Sequence, residues 1–425
     1  MSTGGCRGRA RLDRNGSGYL RKAVVTGMGC VSGLGAGVAQ TWANLIAGQS
    51  AIRPFAIHPD GQPELSFAGV AAPAVAGAAD PLRRHFEEKQ LNADAFANFA
   101  AAATLEALQD AGLWKDARLT DAAIVYGSAS GGNAAIEAGY QRLFLSRLAN
   151  VHPMTVPRLM SSAAASHLAM LFGIRGHALA ISSACASSAH AIAEAMHMIR
   201  AGRADIVVTG GADASLTFGS LYGWKALQAM APDMCRPFSI DRKGMVLGEG
   251  AATLILEEEE HARARGARIL AEVAGAASNS DARHLTQPDP ERAAAAIAAA
   301  HRDADLAKDA PLLISSHGTG TRLNDRSEAR ALHLAYDGNL TRHRVIATKS
   351  SHGHMLGATG AMELLTAILA LNAQMAPPIL GYIGPDPECD LPLALEPVPI
   401  AAEAIMSASF AFGGLNSVLI AKKPE

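Results

Sequence analysis

The stretch Ala178-Leu-Ala-Ile-Ser-Ser-Ala-Cys185-Ala-Ser-Ser-Ala-His-Ala-Ile192 contains an apolar run, a turn of small residues and the start of a helical pattern. The helical pattern extends from Ala186 to Ile199 and ends at the stop signals Arg200 and Gly202. Cys185 therefore lies at or just before the first turn of a helix. Unpaired N–H groups and the helix dipole favour an anion there, so we expect a lowered thiol pKa and a nucleophilic cysteine. A small buried structural thiol is the alternative.

The same order of elements occurs twice along the chain, with runs rich in Val and Ile alternating with Ala-rich helical stretches. The strand-like runs lie at 22–27, 122–128, 178–185, 205–211 and 252–257, and again at 269–275, 312–317, 344–349, 404–410 and 418–421. This pattern predicts an α/β fold made of two duplicated halves. The expected segments are a flexible N-terminal extension at 1–21, a first half at 22–262 and a second half at 263–425. Because Gly and Ser turns follow the strands, we expect one shared site at the strand C-termini.

The composition excludes several classes of function. Apolar residues make up 49% of the 425 residues and charged residues 18%, which suits a large globular core. The net charge is −2 and no basic block follows the N-terminus, so a nucleic-acid partner is not expected. The five cysteines form no C-x-x-C pair, which predicts reduced thiols in a cytoplasmic protein. No apolar run reaches about 18 residues, so no membrane span is expected.

Two histidines in glycine-containing turns follow Cys185 far along the chain. His317 begins His-Gly-Thr-Gly-Thr321, and His354 ends Lys349-Ser-Ser-His-Gly-His354. In the duplicated register the turn from Lys349 to His354 is the counterpart of the Cys185 turn, so we expect the two turns to meet. Zinc binding by His317, His352 and His354 is disfavoured because no acidic or cysteine ligand accompanies them.

Two carboxylates and one further turn complete the candidates. Glu328 follows His317 by eleven residues, and Glu363 interrupts an apolar helical run, where it needs either solvent or a cationic partner. The glycine turn at 410–416 places Phe412 where its backbone N–H can point at a reacting carbonyl, although a plain hairpin with an aromatic plug is the alternative. A dinucleotide site at 27–33 is excluded because Ser32 replaces the third glycine, and 127–132 lacks the serine of a hydrolase elbow.

Taken together, these motifs resemble the β-ketoacyl-acyl-carrier-protein synthases of the elongating, type II kind, over roughly 22–423. The residues that carry the resemblance are Ser183-Ala-Cys185-Ala, Arg236-Pro-Phe-Ser, Gly248-Glu-Gly-Ala251, His317-Gly-Thr-Gly-Thr321, Thr348-Lys-Ser350, Gly353-His-Met-Leu-Gly-Ala358 and Phe410-Ala-Phe-Gly-Gly-Leu-Asn416. The segment at 231–250 is most similar to the nodulation protein E and aryl-polyene branches. The resemblance implies a thiolase-like fold, in which two βαβαβαββ halves form a five-layer αβαβα sandwich.

The resemblance also implies a mechanism and roles for the site residues. Cys185 would accept an acyl chain, and His317 and His354 would stabilise the enolate formed when a malonyl-carrier-protein loses carbon dioxide. Lys349 would be ordered by Glu328 or Glu363. The backbone N–H groups of Cys185 and Phe412 would hold the oxyanion. The further implied residues are Thr319 and Thr321 for the phosphopantetheine arm, Phe412 as gate, Phe218, Leu221, Trp224 and Phe410 for the acyl pocket, and Arg83, Arg84, Lys89 and Lys225 for carrier-protein docking.

The resemblance implies an acyl carrier protein as partner, no bound cofactor, no metal, and a dimer that is homotypic or paired with a chain-length-factor-like subunit. Such partner subunits usually have Gln in place of Cys185, so the cysteine favours a catalytic subunit. Starter-type synthases have Asn where His354 stands, and a thiolase needs a second active-site cysteine near 412. The gate turn departs from its usual pattern at Ala411 and Leu415, which predicts a stiffer gate and an altered pocket.

Overall fold

The computed structural model describes residues 21–57, 65–72, 93–148 and 150–424. Residues 1–20 of the expected N-terminal extension lie outside these ranges. The helices are α1 (Val38–Ile46), α2 (Ala95–Asp110), α3 (Asn133–Tyr140), α4 (Thr155–Leu159), α5 (Ala163–Phe172), α6 (Ser187–Arg200), α7 (Phe218–Ala226), α8 (Glu259–Ala264), α9 (Pro290–Asp303), α10 (Arg322–Ala335), α11 (Lys349–His352) and α12 (Thr359–Ala373). Shorter turns of helix lie at Ala117–Asp121, Gln141–Leu145, Leu356–Ala358 and Pro387–Cys389.

Ten strands coincide with the runs expected from the sequence. They are β1 (Ala23–Ser32), β5 (Ala123–Gly127), β6 (Ala178–Ile181), β7 (Ile206–Asp213), β9 (Gly250–Glu258), β10 (Ala271–Ser280), β11 (Leu312–Ser315), β12 (Arg344–Ile346), β15 (Ala404–Ala411) and β16 (Leu415–Lys422). Short additional strands are β2 (Gly35–Ala36), β3 (Arg53–Ile57), β4 (Leu65–Val70), β8 (Leu247–Gly248), β13 (Met375–Ala376) and β14 (Val398–Pro399).

The main sheet has the order β12-β11-β15-β16-β10-β1-β9-β7-β5-β6. The five main strands of each half can be numbered by their order along the chain. From the outer edge of the sheet to its centre, each half then places its third, second, fourth, fifth and first strand in that order. The two halves therefore mirror each other about the β1–β10 pair. That pair is antiparallel and joins Ala23 to Val273. In both halves the second strand pairs in parallel with its two neighbours, while the last strand pairs antiparallel with the first. This symmetry supports the internal duplication.

Helices α6 and α12 form a layer shared by the two halves. α12 packs against β7 and β9 of the first half and against β11 and β15 of the second. The apolar residues of this layer, which include Ile192, Met196, Leu364 and Ile368, are fully buried. Helices α2 and α5 cover the outer face of the first half-sheet, and α9 and α10 cover that of the second. The five layers confirm the predicted αβαβα sandwich.

Equivalent glycines let an outer helix approach the sheet closely in each half. The register shifts between Val25 and Gly27 in β1 and between Val273 and Gly275 in β10, at corresponding positions. A Cβ on Gly27 would lie 2.2 Å from the carbonyl oxygen of Ala107 in α2. A Cβ on Gly275 would lie 2.6 Å from the backbone nitrogen of Ala304, at the end of α9. The side chain of alanine therefore has no room at either position.

Two further predictions concern the connection between the halves and the membrane. The predicted boundary between 262 and 263 falls inside α8, so a short helix and not an open linker joins the halves. Among the described residues, Leu356–Ala373 is the one stretch long and apolar enough to cross a membrane, and most of it is buried within the fold. The core helix of a globular protein meets the same criteria, so this stretch is weak evidence for a span.

We expect Gly27→Ala and Gly275→Ala each to lower the free energy of unfolding by about 1–3 kcal/mol, because each added methyl group overpacks a helix backbone. Chemical denaturation monitored by circular dichroism measures the change. Gly223→Ala in α7 is the matched control, since a Cβ there meets no atom within 4 Å. It should be neutral or stabilising by up to about 1 kcal/mol. Equal effects at all three positions would contradict the packing argument.

Candidate active site

Cys185 lies at the entrance to α6, in a turn held by its own small residues. Ala184 adopts a left-handed conformation with φ of 51°, which turns the chain sharply before the cysteine. The Ser187 hydroxyl accepts a hydrogen bond from the Ser183 backbone N–H at 2.9 Å and donates one to the Ala184 carbonyl at 2.6 Å. The cysteine is only 7% exposed. Small residues are therefore required here, because the turn runs directly into the first turn of the helix and leaves little space for side chains.

His354 contacts the thiol from the second half of the chain. Its Nε2 lies 3.1 Å from the Sγ of Cys185, and its Nδ1 lies 3.0 Å from the Thr359 hydroxyl oxygen. The His354 backbone N–H also donates to the Val246 carbonyl at 2.7 Å, which fixes the turn. Because a hydroxyl can donate or accept, Thr359 allows His354 to carry its proton on either ring nitrogen.

His317 stands beside His354 with a defined tautomer. The ring centroids of the two histidines are 5.5 Å apart and their planes are nearly perpendicular. The Nζ of Lys349 lies 3.3 Å from the Nδ1 of His317 and also donates to the His317 carbonyl oxygen. An ammonium group has no acceptor, so Nδ1 of His317 accepts and the ring proton resides on Nε2. His317 therefore presents an N–H donor towards the site.

The two carboxylates proposed as partners of Lys349 have different contacts. Glu363 pairs directly with the Lys349 ammonium at 2.5 Å, and both side chains are fully buried. Glu328 instead accepts the backbone N–H groups of His317 and Gly318 at 2.6 and 2.8 Å. Glu363 thus orders the lysine, whereas Glu328 orders the turn that carries His317. The alternative of a solvent-exposed face does not hold for Glu363.

Burial changes the protonation behaviour of the site, and here the expectation of a lowered thiol pKa is wrong. Burial raises the pKa of Cys185 to about 11, with Lys349 lowering it and Asp213 raising it further. Burial, reinforced by the Lys349 charge, holds the pKa values of His317 and His354 well below the usual value. Loss of solvent outweighs the helix N-terminus because a buried charge loses hydration on all sides. At neutral pH the site therefore holds a thiol and two neutral imidazoles.

Cys185, His317 and His354 are close enough together to suggest a metal site. One ligand atom from each lies within 4.8 Å of the others. A metal on Nε2 of His317 would need the lone pair of that nitrogen, but Lys349 directs the proton there. His352, one of the zinc candidates, turns elsewhere and contacts the Gly353 carbonyl and the Thr348 hydroxyl. A cysteine does accompany two of the histidines, contrary to the sequence argument against zinc. The residues present fit proton donors better than metal ligands, and the absence of a metal stays a prediction.

Phe412 lies at the turn between β15 and β16 and lines the same pocket as Cys185. Backbone N–H groups of Cys185 and Phe412 point towards the thiol, where both lower its pKa. The Phe412 ring stacks on Trp224, with centroids 6.0 Å apart and planes at 25°. The turn itself is tied to the loop that follows β10, because the Asp281 N–H donates to the Gly414 carbonyl. The turn therefore places a backbone donor and an aromatic ring at the pocket of Cys185, and the roles of Phe412 as oxyanion donor and gate stay predictions.

A pocket of about 390 Å³ leads from the three catalytic candidates to the surface. Thr319 and Thr321 line it, and their hydroxyl oxygens lie 2.9 Å apart. Phe410 and Trp224 line it as well. Its outer end carries the exposed cations Lys243 and Arg322 together with His284 and Leu285, none of which the motifs had singled out.

The remaining predicted residues are distributed less closely around this pocket. Phe218 lines a separate apolar groove, formed with α3 and the turn Gln141–Leu145. Leu221 belongs to α7, and its side chain is fully buried. Neither residue lines the pocket at Cys185, so their place in an acyl pocket stays a prediction. Lys225 is exposed next to pocket-lining Trp224, while Arg83, Arg84 and Lys89 lie outside the described residues.

Asp213 and Thr359 were missed by the sequence reasoning. Asp213 is the last residue of β7 and is fully buried. A carboxylate at the end of an apolar strand was a signal that the pattern contained. Thr359 gave no comparable signal, since a threonine at the start of an apolar helix is ordinary.

The comparisons with known proteins agree with this geometry. The family model described as "Beta-ketoacyl synthase, N-terminal domain" matches residues 21–262, and "Beta-ketoacyl synthase, C-terminal domain" matches 270–382. The chain belongs to the β-ketoacyl synthase family, a family of acyltransferases.

Individual relatives match over nearly the whole chain. Nodulation protein E of Rhizobium sp. (strain N33) is 40% identical over 94% of this chain and 98% of its own. The 3-oxoacyl-[acyl-carrier-protein] synthase 2 of Staphylococcus aureus (strain COL) is 33% identical over 95% and 99%. The solved structure "The ishigamide ketosynthase/chain length factor" has a TM-score of 0.87 and 30% identity, covering 96% of this chain and 100% of that chain. The recognised family and fold are thus confirmed.

We expect Lys349→Met to slow iodoacetamide alkylation of Cys185 and to move its pH profile upwards, because the ammonium lowers the thiol pKa. In the unaltered protein the rate should rise about tenfold per pH unit between pH 7 and 10, as the thiolate fraction grows. Mass spectrometry of the peptide that contains Cys185 measures the rate. Lys308→Met, on the outer face of α9 and α10, should leave the profile unchanged. A wild-type midpoint below pH 8 would contradict the effect of burial.

Proposed function

We propose that this protein is a β-ketoacyl-acyl-carrier-protein synthase that catalyses decarboxylative Claisen condensation of an acyl-Cys185 enzyme with malonyl-carrier-protein. The observation that carries the proposal is the contact between the Cys185 thiol and His354 at 3.1 Å, with the His317 donor alongside. The reaction elongates a fatty-acid, polyketide or polyene chain. Because nodulation protein E is among the relatives, the reaction could belong to a specialised pathway as well as to housekeeping fatty-acid synthesis.

The first step transfers the acyl chain to Cys185. As the sulfur attacks the thioester carbonyl, its proton passes to Nε2 of His354, which is available because the imidazole is neutral. The N–H groups of Cys185 and Phe412 hold the tetrahedral oxyanion, and each such donor contributes about 3 kcal/mol. Collapse breaks the bond to the pantetheine sulfur, which takes the proton from His354. A high thiol pKa suits this route because the proton leaves only as the bond forms.

The second step forms the new carbon–carbon bond. The malonyl thioester loses carbon dioxide, and the electron pair of the broken bond becomes an enolate. Nε2–H of His317 donates to the enolate oxygen. His354 donates from its own Nε2 after its proton shifts there from Nδ1, a tautomer that the Thr359 hydroxyl allows. The enolate carbon attacks the acyl carbonyl, and the Cys185 thiolate departs and takes up one proton from solvent. The products are a β-ketoacyl-carrier-protein and free Cys185.

The pocket suits a substrate delivered on a phosphopantetheine arm. The hydroxyls of Thr319 and Thr321 offer donors along its wall, and the arm would be part of the substrate, so no resident cofactor is needed. The exposed cations Lys225, Lys243 and Arg322 lie at or near the outer end, where an acidic carrier protein would dock. The name of the Staphylococcus relative refers to an acyl carrier protein, which supports this partner.

A second subunit is expected at the β6 edge of the sheet. β6 pairs with β5 on one side, and within the described ranges its other edge has no partner. Exposed apolar side chains cluster on the helices nearby; they include Tyr140, Phe144, Leu145, Met154, Val156, Met160, Met170 and Leu179. A patch of this kind is typical of an interface between subunits. Its occupant is a second copy or a chain-length-factor-like subunit, as the name of the ishigamide relative suggests.

The same features weigh against the other candidate functions. A non-catalytic partner subunit would not need a thiol in contact with a histidine. A thiolase would need a second cysteine near Phe412, and none of the described cysteines other than Cys185 lines the pocket. We expect a cytoplasmic location, since the buried cysteines are free thiols.

We expect Cys185→Ala to abolish condensation of acyl- and malonyl-carrier-protein, because no other thiol lies at the histidines. The measurement is formation of β-ketoacyl-carrier-protein, followed by mass spectrometry. Wild-type protein incubated with acyl-carrier-protein alone should gain the mass of one acyl group on Cys185. Cys185→Gln should remain unacylated.

Cys30→Ala is the control, because Cys30 is also a buried thiol whose pKa burial raises to about 12. It lies in β1 and hydrogen bonds to Thr41, away from the pocket, so acylation should be unchanged. Condensation by Cys185→Ala at the normal rate would overturn the mechanism. A wild-type protein that is never acylated would instead identify a non-catalytic partner subunit.

A further inference from the structure

The carboxylate of Asp213 connects segments from both halves of the protein. It lies at the end of β7, is 0% exposed and accepts hydrogen bonds at both oxygens. Oδ1 accepts from the Ser128 hydroxyl at 3.0 Å and from the Ser130 backbone and hydroxyl at 3.2 and 3.0 Å. Oδ2 accepts from the backbone N–H of Ala129 at 2.9 Å and of Gly357 at 2.7 Å. The first four donors belong to the turn after β5, and the last belongs to the second half.

The turn after β5 is bound in its own right to the chain that leads to Cys185. The Ser128 N–H donates to the Ile181 carbonyl at 3.1 Å, at the end of β6. The Ser182 hydroxyl contacts the Ala129 carbonyl at 3.4 Å. Ile181 and Ser182 are four and three residues before the nucleophile. Movement of the turn at 128–130 would therefore move the cysteine.

The other end of the connection reaches His354. Gly357 lies between His354 and Thr359, the residue that contacts the Nδ1 of that histidine. There is no spare room, because a Cβ on Gly357 would lie 2.4 Å from the backbone nitrogen of Ala129 and 2.6 Å from Asp213. Leu356 adopts a left-handed conformation with φ of 47°, which is unfavourable for leucine and must be held by its surroundings. Asp213 accepts the hydrogen bond from the backbone N–H of Gly357, the residue after Leu356.

The position of the Asp213 carboxylate near Cys185 is not explained by an ion pair or by activation of the thiol. No lysine or arginine among the described residues forms an ion pair with it, so its charge is offset by neutral donors alone. Burial raises the pKa of Asp213, and its charge raises the pKa of the Cys185 thiol. The residue thus opposes formation of the thiolate. We therefore argue its contribution from geometry, since its charge does not favour the thiolate form of Cys185.

We propose that Asp213 is a positioning residue that locks the His354 turn of the second half to the Cys185 turn of the first. The inference rests on the proposed condensing activity, in which the proton moves directly between these two side chains. A misplacement of about 1 Å at such a contact can cost about 10²-fold in rate. Hydrogen bonds to a carboxylate are stronger than those between neutral groups, which suits a link between two halves.

The test is Asp213→Asn in the full-length protein. The amide keeps the shape, but its NH₂ cannot accept, so either the Ser128 and Ser130 side or the Ala129 and Gly357 side loses its acceptor. We expect the rate of Cys185 acylation by acyl-carrier-protein to fall about 10–100-fold. Alkylation of the same cysteine by iodoacetamide needs no His354, and its pH profile should move to lower pH because a negative charge is gone. A general loss of structure would not produce that opposite pair of changes.

Two further variants keep the test decisive. Ser130→Ala removes one donor and leaves the carboxylate, so it should lower acylation by a few-fold without moving the alkylation profile; it replaces Asp213→Asn if that variant does not fold. Glu257→Gln alters a buried carboxylate at the far end of β9, which pairs with Arg265. It should reduce stability but leave both readouts unchanged.

The outcomes separate the two proposals. If wild-type protein is acylated and folded Asp213→Asn is acylated within about twofold of the same rate, the positioning role is overturned. In either variant, a fall in acylation matched by an equal fall in the alkylation rate would also overturn it, since that points to general damage. If the wild-type protein is not acylated at all, the proposed function fails first.

Discussion

The site depends on one constraint, which is the burial of α6 and α12 between the two half-sheets. Both helices start at the same level because the halves mirror each other about the β1–β10 pair. Cys185 precedes α6 and His354 precedes α12, so the shared layer brings their turns together. The apolar surface buried by this layer is far larger than any single polar contact could supply. Packing of the helices brings the Cys185 and His354 turns together, and the hydrogen bonds of the site then set their exact geometry.

Burial raises the pKa of the Cys185 thiol and lowers the pKa of the two histidines, and both changes suit acyl transfer. A dry environment disfavours both the thiolate and the imidazolium, so a thiol faces a neutral base. The Lys349–Glu363 pair is the one fully buried ion pair in direct contact with a site histidine among the described residues. It fixes the tautomer of His317 without leaving an uncompensated charge. Reactivity here comes from position and directed donors, and less from a permanently activated nucleophile.

Local patterns allowed much of this to be predicted. The ten long strands and the start of α6 within one residue follow from apolar runs, small-residue turns and helix stop signals, which act over a few neighbours. Which of Glu328 and Glu363 pairs with Lys349 could not be read in this way, because both are single carboxylates on helices. The pKa of Cys185 was predicted in the wrong direction, since the helix start is local while the loss of solvent depends on every layer above it.

The sequence by itself determined the α/β fold, its duplication and the thiol, the two histidines and the lysine at the centre of the site. Periodicity, turn residues and motif spacing are properties of the chain that need no distant contact. Only the tertiary structure decided that Glu363 pairs with Lys349, that Phe218 lies in a separate groove and that Asp213 joins the two turns. The partners in these contacts are separated by 14 to 144 residues in the chain, as with Lys349–Glu363 and Asp213–Gly357. Their distances follow from how the layers pack, and no local pattern encodes that packing.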